Sequence, residues 1–381
     1  MSGHFISIAA GRAYVAAPQG GRGPGLLLFP DVSDDDRDLR ELSDLYAAEG
    51  YVVLSPEVAA LSKGVEDIAA AVAALRARSE CSGKVGALGF GLGGKLAYLA
   101  AAEAGVDCAV SYYGFGIDFG LNLVSRIGCP LLMHFAEKDP QIPPEAIARV
   151  QQAFAGRSDV AIYVYPGAAP GFDRATKPNY DKQAAGLAHS RSIALLGRVM
   201  GPHYDLEALW EKHTTNEFVT RDVAATMQTM VAEPYVNHIP VMTGGVGQRD
   251  LARFYAQHFI PRLPPDTRLV PISRTVGADR IVEEMLFCFT HDTEIDFMLP
   301  GVPPTGRYVE VPTVAIVNFR GDKICHEHIY WDQASVLVQI GLLDPKGLPI
   351  AGIETAKKLL DETRPSNTLM KRWAESGPER G

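Results

Sequence analysis

The chain has 381 residues, 47% of them hydrophobic, and its formal net charge at pH 7 is −9. This length exceeds what one hydrophobic core normally serves, so two domains are expected. The negative charge argues against nucleic acid or anionic membrane as a partner, because both select clustered basic surface. No apolar run approaches the ~20 residues of a membrane span, and the N-terminal segment lacks the pattern of a signal peptide.

Strands alternate with helices from residue 1 to about residue 202. The apolar strand segments are 25–29, 51–54, 85–88, 130–136 and 161–165, and the clearest helices are 64–78, 144–154 and 182–200. This alternation predicts an α/β hydrolase-type, doubly wound and mostly parallel sheet over residues 1–202.

The order of elements changes after Gly201-Pro202. Three helices are predicted first, at 205–213, 221–232 and 248–260. Four strands follow, at 268–276, 281–291, 308–319 and 323–331, and helices at 333–340 and 353–361 come last. Helices before an antiparallel sheet predict an α+β domain over residues 203–343, with a C-terminal extension over residues 344–381.

Five cysteines are scattered without the paired spacing of a zinc site or a disulfide framework. They predict a reducing compartment, the cytoplasm, in which Cys81, Cys108 and Cys129 act as small core residues. No metal and no organic cofactor is expected.

The most informative segment, residues 85–94, reads VGALGFGLGG. An apolar strand enters a glycine-dense turn and continues as a helix, which is the pattern of a nucleophile elbow, G-x-nucleophile-x-G. The central position is Gly91 instead of a serine or cysteine. Since glycine has no side chain, no covalent acyl-enzyme can form at this position.

Together with this elbow, several segments of the first half resemble the dienelactone hydrolase family: 25–29, 51–54, 112–114, 130–139 and 161–172. The resemblance covers roughly residues 1–200 and implies a Cys-His-Asp triad. Asp139 matches the acid, but Gly91 stands at the nucleophile and Pro170 at the base. Asp31 matches an acidic residue that orders the family's site, and the backbone N–H groups near Asp31–Val32 and Leu92 could still bind a carbonyl as an oxyanion hole.

The second half resembles the SnoaL-like polyketide cyclase branch of the nuclear transport factor two-like fold, in segments 231–240, 300–312 and 328–343. The resemblance covers about residues 203–343. It implies a cone-shaped α+β domain with an internal pocket, which in this fold often forms a homodimer. Asp332 matches the family's acid/base aspartate, and His238 matches its first pocket histidine.

The strand at 323–331 can present either of two faces to this pocket. One face carries Ile324, His326, His328 and Tyr330, and the other carries Cys325, Glu327, Ile329 and Trp331. A pocket that combines carboxylates and histidines in an apolar shell can hold a base with a pKa near neutrality. The candidate catalytic residues are therefore Asp332, His238, His326, Glu327 and His328, and the candidate pocket-lining residues are His291, Tyr330 and Trp331.

Simpler interpretations stay open for two of these candidates. Asp332 precedes a helix and could be its N-cap, accepting a hydrogen bond from the backbone N–H of Ser335. His326 and His328 could bind a metal, but no third ligand stands at a clear spacing, so zinc is not predicted.

The favoured function is acid/base catalysis on a small carbonyl or lactone compound in the second domain, by isomerisation, cyclisation or dehydration. Asp332 would be the main base, and the first domain would not act by nucleophilic attack. One alternative is hydrolysis in the first domain by water that Asp31 or Asp139 activates. Another is a binding or assembly protein without activity.

Overall fold

The computed structural model describes residues 3–9, 11–58, 61 and 63–376. The chain divides into two compact units after Tyr204, and each unit has its own hydrophobic core. The segment predicted as a C-terminal extension belongs to the second unit as far as residue 376. Its last residues, 377–381, lie outside the described residues.

The first unit is built on a sheet of eight strands among the described residues, in the order β1-β2-β4-β3-β5-β6-β7-β8. The strands are β1 His4–Ile8, β2 Gly11–Ala16, β3 Gly23–Phe29, β4 Val52–Pro56, β5 Cys81–Phe90, β6 Cys108–Tyr112, β7 Leu131–Ala136 and β8 Val160–Tyr165. The helices are α1 Asp36–Ala48, α2 Val65–Arg76, α3 Leu92–Glu103, α4 Pro144–Ala153 and α5 Lys182–Met200.

From β4 to β8 the neighbouring strands of this sheet run parallel, and only the pairs β1–β2 and β2–β4 are antiparallel. Strands β3, β6 and β7 are buried along their whole length. Continuous apolar strands of this kind are typical of a parallel sheet that helices cover on both faces. The predicted α/β hydrolase-type fold is confirmed.

The elbow between β5 and α3 is a single residue, Gly91. Its backbone angles, φ 56° and ψ −120°, are ones that residues with a side chain rarely adopt. Two residues later, a Cβ on Gly93 would lie 2.2 Å from the carbonyl oxygen of Phe29. The glycines of this motif therefore serve the sharp turn and the close packing of α3 against β3.

The second unit is built on a sheet of six strands among the described residues, in the order β10-β9-β14-β13-β12-β11. The strands are β9 Met230–His238, β10 Thr243–Val246, β11 Arg268–Val276, β12 Arg280–Thr290, β13 Tyr308–Arg320 and β14 Lys323–Trp331. The helices are α6 Leu206–Thr214, α7 Val223–Gln228, α8 Gly247–Phe254, α9 Gln333–Gln339, α10 Glu354–Leu360 and α11 Lys371–Glu375.

Most of the predicted elements of this unit are confirmed, including the strands at 268–276 and 323–331. Two expectations are wrong. The helix predicted at 221–232 ends at Gln228, because a strand follows in which Pro234, Val236 and His238 are buried alternately. That strand, β9, pairs in parallel with β14, so the sheet is mixed instead of wholly antiparallel.

Two helices of this unit continue into π-helical turns, Thr215–Val219 after α6 and Tyr255–Phe259 after α8. Such turns are rare and often occur at functional sites. On the other side of the sheet, Ala356 of α10 packs against Leu286 and Cys288. In the described part of the chain, no helix has the length and apolar character needed to cross a membrane.

Candidate active site

The second unit contains a small, mostly apolar cavity between the sheet, helix α6 and the two π-helical turns. It leaves about 60 Å³ in which the centre of a water-sized sphere can move, which is several times what one water requires. Aromatic and aliphatic side chains form most of the wall, and the ionisable groups on it are Glu217, His238, Tyr255 and Glu327. An apolar pocket with a few converging polar groups is the usual form of a small-molecule site.

Strand β14 presents its Glu-and-Trp face to the cavity. Glu327, Ile329 and Trp331 line the wall, and the exposed fraction of Glu327 is only 3%. Opposite them, β9 pairs in parallel register, with Val236 beside Glu327 and His238 beside Ile329. Glu327 and His238 therefore lie two residues apart along neighbouring strands, roughly 7 Å in the strand direction.

Glu217 and Glu327 of this wall form a buried ionic cluster with His213, which lies behind them. The Nε2 atom of His213 lies 3.0 Å from Glu217 Oε1 and 3.2 Å from Glu327 Oε1. The other ring nitrogen, Nδ1, lies 2.6 Å from the hydroxyl of Thr229, which donates its own proton to the carbonyl of Thr226. His213 Nδ1 must therefore donate to Thr229, and Nε2 faces two acceptors.

This arrangement requires a positively charged imidazole at His213. Burial opposes the charge, but Glu217 and Glu327 outweigh burial and raise the pKa of His213 to about 10. Burial raises the pKa of Glu327, the imidazolium partly reverses that shift, and the neighbouring Glu217 adds to it. One imidazolium beside two carboxyl groups has no net charge when one carboxyl keeps its proton, so burial opposes full ionisation of the cluster.

His238 is a buried histidine with the opposite shift. Burial lowers its pKa to about 4, because four aromatic rings surround it: Phe254, Phe259, Phe297 and Trp331. The hydroxyl of Thr243 lies 3.2 Å from His238 Nδ1 and donates its proton to the carbonyl of Phe297. Nδ1 must therefore carry the ring proton, which leaves Nε2 of a neutral imidazole as an acceptor.

Asp332, the predicted main base, is an N-cap. Its Oδ1 atom accepts from the backbone N–H groups of Ala334 and Ser335 at 3.0 Å and 3.2 Å. Its side chain is exposed and is not part of the cavity wall. The catalytic assignment of Asp332 is therefore wrong, because the start of α9 points this carboxylate at the helix backbone.

We expect Asp332→Asn to leave both stability and activity near those of the parent, because asparagine caps helices about as well as aspartate. Asp332→Ala should lose about 1 kcal/mol of unfolding free energy. Urea unfolding followed by tryptophan fluorescence measures this, since all three tryptophans lie beyond residue 204. An Asp332→Asn variant that folds normally but turns over substrate far more slowly would show that Asp332 is catalytic after all.

Four other candidates do not reach the cavity wall. His326, His328 and Tyr330 lie on the opposite face of β14, where both histidine rings contact Tyr235 of β9. His291 is buried in a loop, and its Nδ1 lies 3.1 Å from the hydroxyl of Thr305. The pocket roles predicted for His326, His328 and Tyr330 are wrong, because strand alternation turns Glu327 and Trp331 inward instead. The pocket role predicted for His291 is wrong because it lies beyond the end of β12, outside the cavity wall.

The cluster of His213, Glu217 and Glu327 is also compact enough for a metal ion, since its ligand atoms lie within 4.8 Å of one another. His213 Nε2 and Glu327 Oε1 lie at ion-pair distance without hydrogen-bond geometry. A positively charged imidazole already balances one of the two carboxylates, so a divalent cation would have to compete with that charge for the same oxygens.

Three residues of this site were not predicted from the sequence: His213, Glu217 and Tyr255. His213 and Glu217 are four residues apart, the spacing of neighbours on one helix face. That signal was available, but the helix was predicted to end at His213, whereas the chain continues helically to Val219.

In the first unit, the carboxylate of Asp31 occupies the space beside Gly91 where the side chain of a nucleophile would begin. A Cβ added to Gly91 would lie 1.6 Å from Asp31 Oδ2. Asp139 is buried, its Oδ1 accepts from the backbone N–H of Gln141 at 2.8 Å, and burial raises its pKa. Pro170 offers only its carbonyl, which accepts from Asn179. The N–H of Asp31 donates to Asp34 Oδ2, so this N–H is not the oxyanion-hole donor that was expected there.

Comparisons with known proteins match each half of the chain separately. A model of the dienelactone hydrolase family matches residues 59–200, and a SnoaL-like domain model matches residues 211–327. A putative carboxymethylenebutenolidase of Azospirillum brasilense is 34% identical over 230 residues, covering 51% of this chain and 99% of that protein. A carboxymethylenebutenolidase of Pseudomonas sp. strain P51 is 28% identical, covering 49% and 90%. A solved putative dienelactone hydrolase from Klebsiella pneumoniae is 23% identical, with a TM-score of 0.46, covering 52% and 98%.

Proposed function

Because this chain belongs to the dienelactone hydrolase family and carries a SnoaL-like domain in its second half, we propose that it performs acid/base chemistry on a small carbonyl or lactone compound. The cavity of the second unit would be the reaction site. The lactone class is suggested by the relatives, which are named carboxymethylenebutenolidases. Isomerisation, cyclisation and dehydration all fit, since each moves a proton next to a carbonyl.

The observation that carries this proposal is a pair of groups with inverted pKa shifts on one cavity wall. Glu327 is a carboxyl whose pKa is raised by burial, and His238 is an imidazole whose pKa burial lowers to about 4. When surroundings push two titratable groups apart in this way, the group that keeps its proton serves as acid and the other as base.

The roles of base and acid are assigned by which of the two groups carries a proton. His238 Nε2 removes a proton from the carbon next to the substrate carbonyl, while Glu327 donates its proton to the carbonyl oxygen and produces an enol. The imidazolium of His213 stabilises the carboxylate that Glu327 becomes. Return of the proton to a different carbon isomerises the compound, and loss of a neighbouring hydroxyl dehydrates it.

The test is the isomerisation of a β,γ-unsaturated five-membered lactone to its conjugated form, followed by ultraviolet absorbance and by deuterium uptake in D₂O. Glu327→Gln and His238→Phe should each slow it by roughly 100-fold or more. His328→Phe, the same replacement on the outer face of β14, is the matched control. Parental rates in both cavity variants would contradict the proposal.

Two further outcomes of this experiment favour the alternatives. Tight binding of the lactone without turnover would support a binding protein. Ring opening that both cavity variants retain would support hydrolysis in the first unit, although Gly91 and Pro170 exclude the triad chemistry of the family there.

Homodimer formation and the cytoplasm stay predictions. The cytoplasm is supported by the cysteines, four of which are buried, because the described residues form no disulfide. Light scattering on the full chain measures the oligomeric state.

A further inference from the structure

The cavity of the second unit has acidic groups on its wall, but no lysine or arginine among its described lining residues. Two of its ionisable side chains are uncharged at neutral pH. Burial lowers the pKa of His238 to about 4, and burial together with Glu217 and Glu327 raises the pKa of Tyr255 well above its ordinary value. No group on the described wall therefore offers a positive charge to an anionic ligand.

The cation next to this wall, the imidazolium of His213, already faces two carboxyl groups. Its Nε2 atom lies 3.0 Å from Glu217 and 3.2 Å from Glu327. Its other ring nitrogen donates to the hydroxyl of Thr229 at 2.6 Å. The side chain of His213 is fully buried and is not part of the cavity wall, so a ligand would reach this charge only past the two glutamates.

A guanidinium on the far side of the wall is bound to acidic groups of its own. Arg274 lies 2.8 Å from Glu283 and 3.0 Å from Glu211. Glu283 also accepts from the indole N–H of Trp210, and Trp210 is the residue that faces the cavity. The pair of Arg274 and Glu283 therefore lies behind the indole ring and does not supply a cation to the cavity.

A bound carboxylate would bring a third acid to a single imidazolium. Without a ligand, the cluster is neutral when one of Glu217 and Glu327 is protonated. With a carboxylate in the cavity, neutrality requires both of them to be protonated, which is one proton more. An uncharged ligand requires no such change. Because an unpaired charge is costly to remove from water, the apolar wall and the two glutamates oppose an anion together.

We propose that this cavity binds uncharged small carbonyl compounds and that Glu217 excludes their carboxylated analogues. The inference rests on the proposed function for the reaction that follows binding, but binding itself is measured without turnover. Glu217 is the specificity residue because it lines the same wall as Glu327 and has no step in the proposed reaction, in which Glu327 is the acid. The substrate class narrows accordingly to neutral lactones and ketones.

The test compares two saturated γ-butyrolactones, which lack the double bond that the proposed isomerisation moves. One carries a carboxylate on its γ carbon, and the other carries an isopropyl group with the same number of non-hydrogen atoms. Quenching of tryptophan fluorescence in the full chain measures binding, since Trp210 and Trp331 line the cavity. At pH 7 the carboxylate should bind roughly 100-fold more weakly. Equal affinities would overturn the proposal, and so would no binding of the isopropyl compound.

The pH dependence of this comparison does not depend on any variant. The free acid has a pKa of about 3.5, and its binding requires one proton more than that of the isopropyl compound. The ratio of the two dissociation constants should therefore fall about tenfold per pH unit from pH 7 to pH 5. Over this range His238 stays neutral and His213 stays charged, and the isopropyl compound reports any titration of Glu217, Tyr255 or Glu327. A ratio independent of pH would overturn the proposal.

Glu217→Gln should raise the affinity for the carboxylate by roughly tenfold or more and leave that for the isopropyl compound nearly unchanged, because one acid fewer competes for His213. Glu211→Gln is the matched control, since Glu211 is exposed on α6 and pairs with Arg274. An unchanged preference in a folded Glu217→Gln variant would overturn the role of Glu217. A parent that binds the isopropyl compound selectively but does not isomerise the unsaturated lactone would support this inference and contradict the proposed function.

Discussion

Replacing His213 with leucine should destabilise the second unit by about 3–5 kcal/mol at neutral pH, because it leaves two carboxyl groups buried without their cation. His213 Nε2 lies within 3.2 Å of both Glu217 and Glu327, and its side chain is fully buried. The measurement is urea unfolding followed by tryptophan fluorescence, with Trp210 stacked on His213 as the reporter closest to the change.

The pH dependence of this effect has a defined sign. The pKa of His213 is about 10 in the folded chain against an ordinary value of 6.5, so its contribution to stability is complete below pH 6.5 and is lost as pH rises through about 10. The pKa of Glu327 is also raised, and it acts in the same direction from lower pH. The parent should therefore lose stability between pH 6.5 and 10, and a variant with leucine at positions 213, 217 and 327, which removes all three titrating groups, should lose much less.

His238→Leu is the matched control, because it also removes a buried histidine but one whose pKa is about 4. The difference in unfolding free energy between His238→Leu and the parent should not vary over the same pH range. A triple variant with leucine at 213, 217 and 327 removes the charges together and should recover much of the stability. An unchanged unfolding midpoint in His213→Leu at neutral pH would show that the cluster is not ionic.

The sequence predicted best what depends on neighbouring positions along the chain. The loss of the nucleophile at Gly91 is visible because strand, turn and helix are contiguous in residues 85–94. The strand at 323–331 was predicted at its observed bounds, since its alternation is regular. Which face of this strand lines the pocket could not be predicted, because alternation shows which residues share a side and not which side is buried.

Prediction from the sequence was wrong where one residue type fits two different structural roles. An aspartate before a helix is equally expected of an N-cap and of the acid/base residue in the SnoaL-like pattern, and Asp332 is the cap. The cluster at His213 depends on a contact between α6 and β14, which are more than 100 residues apart in the chain. No local pattern contains that contact, so Glu327 was identified without its partner His213.

Rebuilding the family's triad in the first unit should require three substitutions instead of two. Gly91→Cys with Pro170→His supplies the missing side chains, but the Cβ of the new cysteine would collide with Asp31 Oδ2, 1.6 Å away. The collision adds to the backbone strain of a side chain at φ 56°, which costs about 1–3 kcal/mol. We therefore expect the double variant to unfold at a lower temperature than the parent and to carry an unreactive thiol.

Adding Asp31→Gly to that pair should clear the space and give a cysteine that reacts with an alkylating probe. Intact mass measures the labelling, and the parent serves as the control for its own cysteines, four of which are buried. A reactive thiol in the double variant would mean that the loop bearing Asp31 moves aside despite the buried ion pairs of Asp34 with Arg174 and Lys177. No labelling in a folded triple variant would mean that the elbow itself has lost the geometry of the family. Labelling only in the triple variant would show that the oxygen of Asp31 occupies the place of the missing nucleophile.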